Sequence, residues 1–556
     1  MDRTLRFWIG EPASLNSILV FEEQFESMKV ADDKYDYILI GTGINSLVCG
    51  AVLSKSGARV LLLERSDRAG GCIRTEELTL PGFTHDVFSG WHPLFVLSPA
   101  YEELAEELHS RGLTYCNTDR PTGVVTPTGE CLVLSTDREL NSQTFSAFGA
   151  TNVNGYLNAV KTIEDSADLT FGLLNSELRK FSTVMFLLNQ IRKRGIASTV
   201  DFFGQALGTC ADWLESSFTS PLVRSLYAPW ILHTGLSPND ALSGHMGKLI
   251  AFSLETAGMP VVKGGSANLV RAFSSLIEDN GGVLKCEADV DEIAVSGNKA
   301  KGVILTSGQS FQAGKAVIAN VTPTQLYQRL LKNASIPERV NKAANEFRYG
   351  RSNMQIHLAL DAKPEWVDPQ LNDVPMVHVT EGIKSICESI NAADAGYLPC
   401  RPTIVVGQPA ALDKSRVPEG RWIFWLQLQE LPRKVLGDAA GTISVPESGE
   451  WTEELREAYA DRVMERLSQV IPGLSKRILK RVVLSPADLE RLNMNLVGGD
   501  PYSGDCKLNQ NLLWRPLAAT RNHETPVKNL YHIGASTHPG PGLGGGSGYQ
   551  VGKVLN

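Results

Sequence analysis

DYILIGTGINSLVCGAVLSKSGARVLLLERSDRAGGCIRT, residues 36–75, runs without a break from strand to glycine turn, helix, second strand and carboxylate. Residues 37–40 form a short apolar run, Gly41 and Gly43 supply a tight turn, and residues 45–56 carry small and apolar side chains at helical spacing. This order is that of a dinucleotide cradle. Unpaired N–H groups at the helix start, with Asn45 and Ser46 in its first turn, and the helix dipole favour a pyrophosphate there. The second strand, residues 59–63, ends on Glu64, 23 residues beyond Gly41. A carboxylate at that place accepts hydrogen bonds from an adenosine ribose and disfavours a 2′-phosphate. Ser46 holds the third glycine position of G-x-G-x-x-G, so helix and strand must pack around a hydroxymethyl group.

The continuation narrows the reading. Arg65 follows Glu64 directly, and a second glycine pair, Gly70 and Gly71, leads into Arg74 and Thr75. This run resembles the GGxxRT segment of FAD-dependent amine oxidases and phytoene desaturases. The resemblance implies a chain passing close to the pyrophosphate and flavin. Cys72 stands where many members have Arg, so Arg74 is the side chain expected to meet a phosphate. Residues 263–320 return to α/β order, with Leu269, Val270, Phe273, Leu276 and Ile277 on one helical face, Gly281 and Gly282 as its stop, and three strands expected beyond. Taken alone this is a plain βαβ crossover. It also looks like the second FAD-contacting segment of the same family, where Val290 would offer backbone groups to the adenine. The chain closes with NLYHIGASTHPGPGLGGGSGYQVGKVLN, residues 529–556, read as strand, glycine loop and helix. This resembles the family's C-terminal flavin-binding segment, with Gly534, Gly544, Gly545 and Gly546 beside the isoalloxazine. Ala535 replaces the acidic residue that many flavoproteins use to hold the ribityl chain, leaving Ser536 or backbone groups for that role.

Three motifs in family order imply an α/β fold: a Rossmann-like FAD-binding domain assembled from residues 35–110, 260–345 and 500–556. Residues 111–259 and 346–499 would form an α+β substrate domain, a sheet with a helical insertion, and residues 1–34 an extension carrying a short helix near residues 19–28. Residues 98–259 read as mostly helical, beginning with the Ser98-Pro99 cap. The stretch FGLLNSELRKFSTVMFLLNQIRKRG is the most amphipathic. It reads first as a packing face, and its basic end, Arg192 to Arg194, also fits contact with a membrane surface. Between residues 352 and 429 several strand-like runs put large apolar groups on both faces, as a sheet between helices and a ligand cavity would.

Composition sets bounds. A net charge of −8, from 53 basic and 61 acidic residues, argues against nucleic-acid binding. The first residues lack a continuous apolar core, and no window reaches the length of a spanning helix, so a cytoplasmic protein is expected. Nine cysteines without a C-x-x-C pair fit neither a disulfide scaffold nor a zinc site, and no metal is expected.

The resemblance implies noncovalent FAD and hydride removal from a C–H bond of a mostly apolar substrate, leaving C=C or C=N. An amine oxidase using O2 is the alternative within enzymes, and a protein that keeps FAD for stability is the alternative outside them. The electron acceptor (O2, a quinone or a nicotinamide) and the oligomeric state stay open at this level. Asp86, His92 and His538 are the expected proton-transfer groups, because the resemblance places their loops beside the isoalloxazine and a histidine titrates near neutral pH.

Overall fold

The computed structural model describes residues 34–556; the short helix expected near residues 19–28 lies outside them. Strand Lys34–Ile40 pairs in parallel with Val60–Leu63 on one side and with Ser310–Asn320 on the other. Parallel strands covered on both faces have no wet side for polar residues, which is why Val60–Leu63 reads VLLL and is buried throughout. Ser310–Asn320 also pairs in parallel with Leu530–Ile533, so all three motifs contribute strands to one seven-stranded sheet. Four strands, not the expected three, follow Gly282: Val283–Lys285, Val290–Ser296, Lys299–Leu305 and Ser310–Asn320. The first of these has three residues, too few to show an alternation. Helices Ile44–Lys55, Ala267–Asp279 and Gly546–Leu555 share one apolar core with this sheet, and the expected stripe from Leu269 to Ile277 is its contact face.

A second seven-stranded sheet has the order Ile478–Leu484, Ser352–Leu360, Trp422–Leu431, Ile404–Gly407, Met376–Val379, Thr122–Val125 and Cys131–Leu134. The last two strands lie in the stretch expected to be mostly helical. They are four residues each and pair with one another as a hairpin, and the strand that joins them to the sheet, Met376–Val379 against Thr122–Val125, is remote in the chain. Elsewhere the helix signals hold: Ser98 accepts a hydrogen bond from the Tyr101 N–H, and Thr452 caps Glu453–Val470 in the same way.

The amphipathic stretch departs from its first reading. Phe186 abuts Gly172 of helix Ala150–Leu174, but Phe181, Val184, Met185 and Leu188 of helix Phe181–Arg194 are exposed, so the stripe is not a packing face. Among the described residues, no helix is long and apolar enough to cross a membrane.

The two sheets are clamped by Arg416, in the loop before Trp422–Leu431. Its buried guanidinium donates to Asp86 at 2.6 Å, to Asp413 at 3.3 Å and to the Val262 carbonyl at 2.7 Å. Asp86 also accepts from the Thr75 hydroxyl at 2.6 Å and from the Ser266 N–H at 2.8 Å, at the start of helix Ala267–Asp279. Burial alone would push the Asp86 carboxyl up, but Arg416 and these donors outweigh it and hold it below the usual carboxylate range. Replacing Arg416 by Met would strand two buried carboxylates, a loss of about 3–5 kcal/mol. Thermal unfolding of R416M should fall by about 3–5 °C; an unchanged transition would show that the clamp carries no load.

Candidate functional site

A continuous cavity of about 580 Å³ runs from the first glycine turn to the second sheet. One end is walled by Gly41, Gly43, Asn45, Glu64, Arg65, Gly70, Gly71, Arg74, Val290, Ala535, Gly544, Gly545 and Gly546. The backbone is close-set here. Gly41 has φ +83°, and a Cβ on Gly71 would lie 3.2 Å from the Gly43 Cα, so side chains at these turns would fill the cradle. An open helix start at Gly43 beside this groove fits a dinucleotide pyrophosphate.

Gly534 and Ser46 are not on the wall but behind it, at Asn320. The Asn320 amide donates to the Ser46 hydroxyl at 3.0 Å, and a Cβ on Gly534 would sit 2.4 Å from Asn320 Oδ1. The serine in the third glycine position therefore has a partner, and Asn320 joins all three motifs. Glu64 is fully engaged by the protein: one oxygen accepts from the N–H and hydroxyl of Thr42 (3.1 and 2.6 Å), the other from those of Ser66 (3.0 and 2.7 Å). A carboxylate offers about four acceptor positions, so Glu64 braces the turn, and a ribose hydroxyl would have to share an oxygen. Arg74 pairs with Glu76 at 2.5 Å. The Val290 carbonyl accepts from Arg329 at 2.9 Å. At the C-terminal helix, Ser547 accepts from the Gly534 N–H at 3.1 Å and meets Thr537 at 2.6 Å and His523 at 3.1 Å. Ser536 donates to the Ser503 carbonyl at 2.7 Å.

The other end is made by the second sheet and the helical insertion. Trp425, Gln427 and Gln429 face the cavity from alternate positions of Trp422–Leu431, beside Asn353 and Gln355 of Ser352–Leu360, with Gln355 opposite Gln427. Phe88, Trp91, Phe171, Trp230, Leu236, Met246, Leu249, Ile250, Leu254, Met259 and Met376 complete this end. All charged side chains on the wall, namely Glu64, Arg65, Arg68, Arg74, Asp289 and Arg329, come from loops of the first sheet and from the short helix Gln325–Leu330 that follows its strand Ser310–Asn320. His233 is the histidine on the wall. Its Nε2 lies 3.0 Å from His378 Nε2, its ring packs on Trp230, and burial pushes it down to about 3.

The three expected proton-transfer residues are not on the wall. Asp86 is spent in the Arg416 clamp. His92 lies behind Trp91 and Pro93, with Nδ1 at 3.3 Å from the Tyr115 hydroxyl and Nε2 without a partner. His538 donates through Nε2 to the Leu173 carbonyl at 3.0 Å, anchoring the glycine loop to the helical insertion. Burial pushes both histidines down to about 4, so both are neutral near pH 7. Sequence reasoning missed His233, the amides and Asn320. The amides had one signal, polar residues recurring every second position in strands otherwise apolar. His233, in the short helix Ala228–Thr234, had none.

Comparison with known proteins agrees with this geometry. The family described as flavin containing amine oxidoreductase matches residues 47–545. A rat protein named pyridine nucleotide-disulfide oxidoreductase domain-containing protein 2 is 26% identical, with 94% of this chain and 93% of that protein covered. A lycopene-forming phytoene desaturase of Pantoea ananas is 24% identical over 91% of this chain and 96% of its own. An oxidoreductase of Methanosarcina mazei has the same fold, with a TM-score of 0.58 at 16% identity, covering 94% of this chain and 99% of that one.

Five histidines, His92, His245, His357, His532 and His538, are each pushed down to about 4 by burial, against about 6.5 in an unfolded chain. Between these values the unfolded chain binds protons that the folded chain refuses. Stability is therefore complete above about pH 6.5 and is lost as pH falls towards 4. Unfolding near pH 5 should take up more than one proton, seen as a Tm that drops steeply from neutral pH. A flat Tm over that window would mean that these rings titrate normally.

Proposed function

This chain belongs to the flavin-containing amine oxidoreductase family and is an FAD-dependent oxidoreductase, and we propose that it desaturates a mostly apolar substrate by removing a hydride from one carbon and a proton from its neighbour. The observation that carries this reading is the absence, among the described residues, of any charged side chain at the substrate end of the cavity. An amine is a cation near neutral pH, and burying it without a counter-ion is costly. A hydrocarbon meets no such cost. The name of the Pantoea relative, a desaturase of phytoene, points the same way.

FAD would lie along the glycine-lined end, its pyrophosphate at the start of helix Ile44–Lys55, and when bound it supplies the hydride-accepting chemistry. The rest falls to the protein. Trp230, Trp425 and the methionines exclude water and hold the reacting carbons in a dry wall. His233 lines the cavity and meets His378 through Nε2, and with that nitrogen as donor its Nδ1 is the atom assigned to take the proton. Two C–H bonds break, one giving up a hydride and the other a proton, and one C=C bond forms. A carbon losing a hydride makes its neighbouring C–H strongly acidic, so a weak base suffices.

Anaerobic mixing should bleach the flavin with apolar polyenes or terpenoid hydrocarbons and leave it yellow with primary amines; bleaching by amines alone would replace this reading with amine oxidation. His233→Phe should retain FAD and lose about 10² or more in the rate of flavin reduction, and the wild-type rate should show no inflection between about pH 5 and 8, since His233 is already deprotonated there. Glu64→Ala, which frees the Thr42 turn, should weaken FAD by roughly tenfold to a hundredfold. Acid precipitation should release the flavin into solution; colour retained in the pellet would show a covalent link.

A further inference from the structure

Two consecutive helices, Phe181–Arg194 and Ile196–Ala206, are built inside out. On the first, Phe181, Val184, Met185 and Leu188 follow the i, i+3, i+4, i+7 spacing of one face, and that face is exposed, Phe181 at 77% and Leu188 at 52%. The residues it buries are Thr183 and Gln190. The second repeats the pattern: Ile196 at 71%, Val200 at 63% and Phe203 face outward, while Thr199 and Ala206 are buried. A surface helix ordinarily does the reverse. The buried hydroxyls are satisfied locally, Thr183 on the Glu177 carbonyl at 2.7 Å and Thr199 on the Gly195 carbonyl at 2.9 Å, so facing inward leaves neither without a partner.

Charge selects the occupant. Lys180, Arg192 and Lys193 flank the stripes, are exposed and form no ion pair within the described residues; Asp201 is the one acidic residue in the two helices. This cationic rim belongs to a chain whose net charge is −8. A second copy meeting this face about a two-fold axis would bring like charges together. A bilayer bearing anionic phospholipid offers the complementary surface, apolar beneath and negative above.

We propose that the helix pair Phe181–Arg194 and Ile196–Ala206 docks the protein on the surface of an anionic lipid membrane. The location adds a purpose. Ile196–Ala206 packs on helix Ser243–Ala257, which supplies Met246, Leu249 and Ile250 to the cavity wall. Helix Ala150–Leu174, just before the pair, supplies Phe171 and Leu174. The docking face is thus one helix layer from the apolar end of the cavity, and a substrate dissolved in lipid would have a short path to it. Docking itself stands whichever substrate is oxidised.

The test is flotation of the FAD-loaded full chain with vesicles of phosphatidylcholine alone or with about 30% phosphatidylglycerol added. The chain should float with the anionic vesicles, at least about tenfold better than with the neutral ones, and should be released as salt shortens the screening length. The triple variant Met185→Asp, Leu188→Asp, Val200→Asp should stay at the bottom while keeping its flavin content and its thermal transition. Should that variant misfold, Lys180→Glu, Arg192→Glu, Lys193→Glu carries the same expectation. Wild type that ignores both kinds of vesicle, or a folded variant that floats as well as wild type, would overturn the proposal. So would a concentration-dependent dimer in sedimentation that the triple variant abolishes, because the face would then be an interface between copies.

Discussion

The structure depends on one buried charge cluster. Arg416, wholly buried, stands between Asp86 and Asp413, and each carboxylate is also held by donors at the start of the helix that follows residue 266, Ser266 for Asp86 and Gly264 for Asp413. Separated, these charges could not stay in a dry interior; together, with every guanidinium nitrogen engaged, they can. The second sheet is tied by this contact to two segments of the first sheet's unit, and the cavity lies between the sheets. Its shape is therefore set by a polar contact of fixed geometry rather than by apolar packing alone, which tolerates sliding.

The same cluster explains why Asp86 lies off the cavity wall. Sequence marked a carboxylate near the cofactor, but its partner is 330 residues away, and no local pattern announces it. The histidines His92 and His538 lie off the wall for a related reason. Their unperturbed titration near neutrality made His92 and His538 attractive, but burial moves both down and local acceptors use them as struts. What a histidine does is decided by what surrounds it, and neighbours are tertiary facts.

The fold was more legible than the site. Gly41, Gly70 and Gly71 are visible because a backbone at positive φ that comes close to another backbone favours glycine, and VLLL at residues 60–63 is visible because burial on both faces forbids polar ones. Such constraints act on each residue separately and survive in one dimension. The hairpin of Thr122–Val125 and Cys131–Leu134 gains its place in the sheet through pairing of its first strand with Met376–Val379, and short strands show little alternation of their own. Ser46 is the instructive case: it looked like a defect in a glycine motif, and it is the acceptor for Asn320, which lies where the three motifs meet. A departure from a pattern is a place to look for a partner.

The distribution of polarity ties the interior to the surface. Charge on the cavity wall is confined to the end that cradles a dinucleotide, the far end is aromatic and thioether, and the amides of Asn353, Gln355, Gln427 and Gln429 line the sheet that faces both. An apolar wall of this kind has affinity for molecules that scarcely dissolve in water, so a cavity selective for them is slow to fill from bulk solvent whatever its chemistry. The exposed stripes of Phe181–Arg194 and Ile196–Ala206 lie on the side of the molecule that carries the helices of this apolar end. Interior and surface thus face the same supply problem, and a protein that rests where such molecules concentrate solves it without any change in the site.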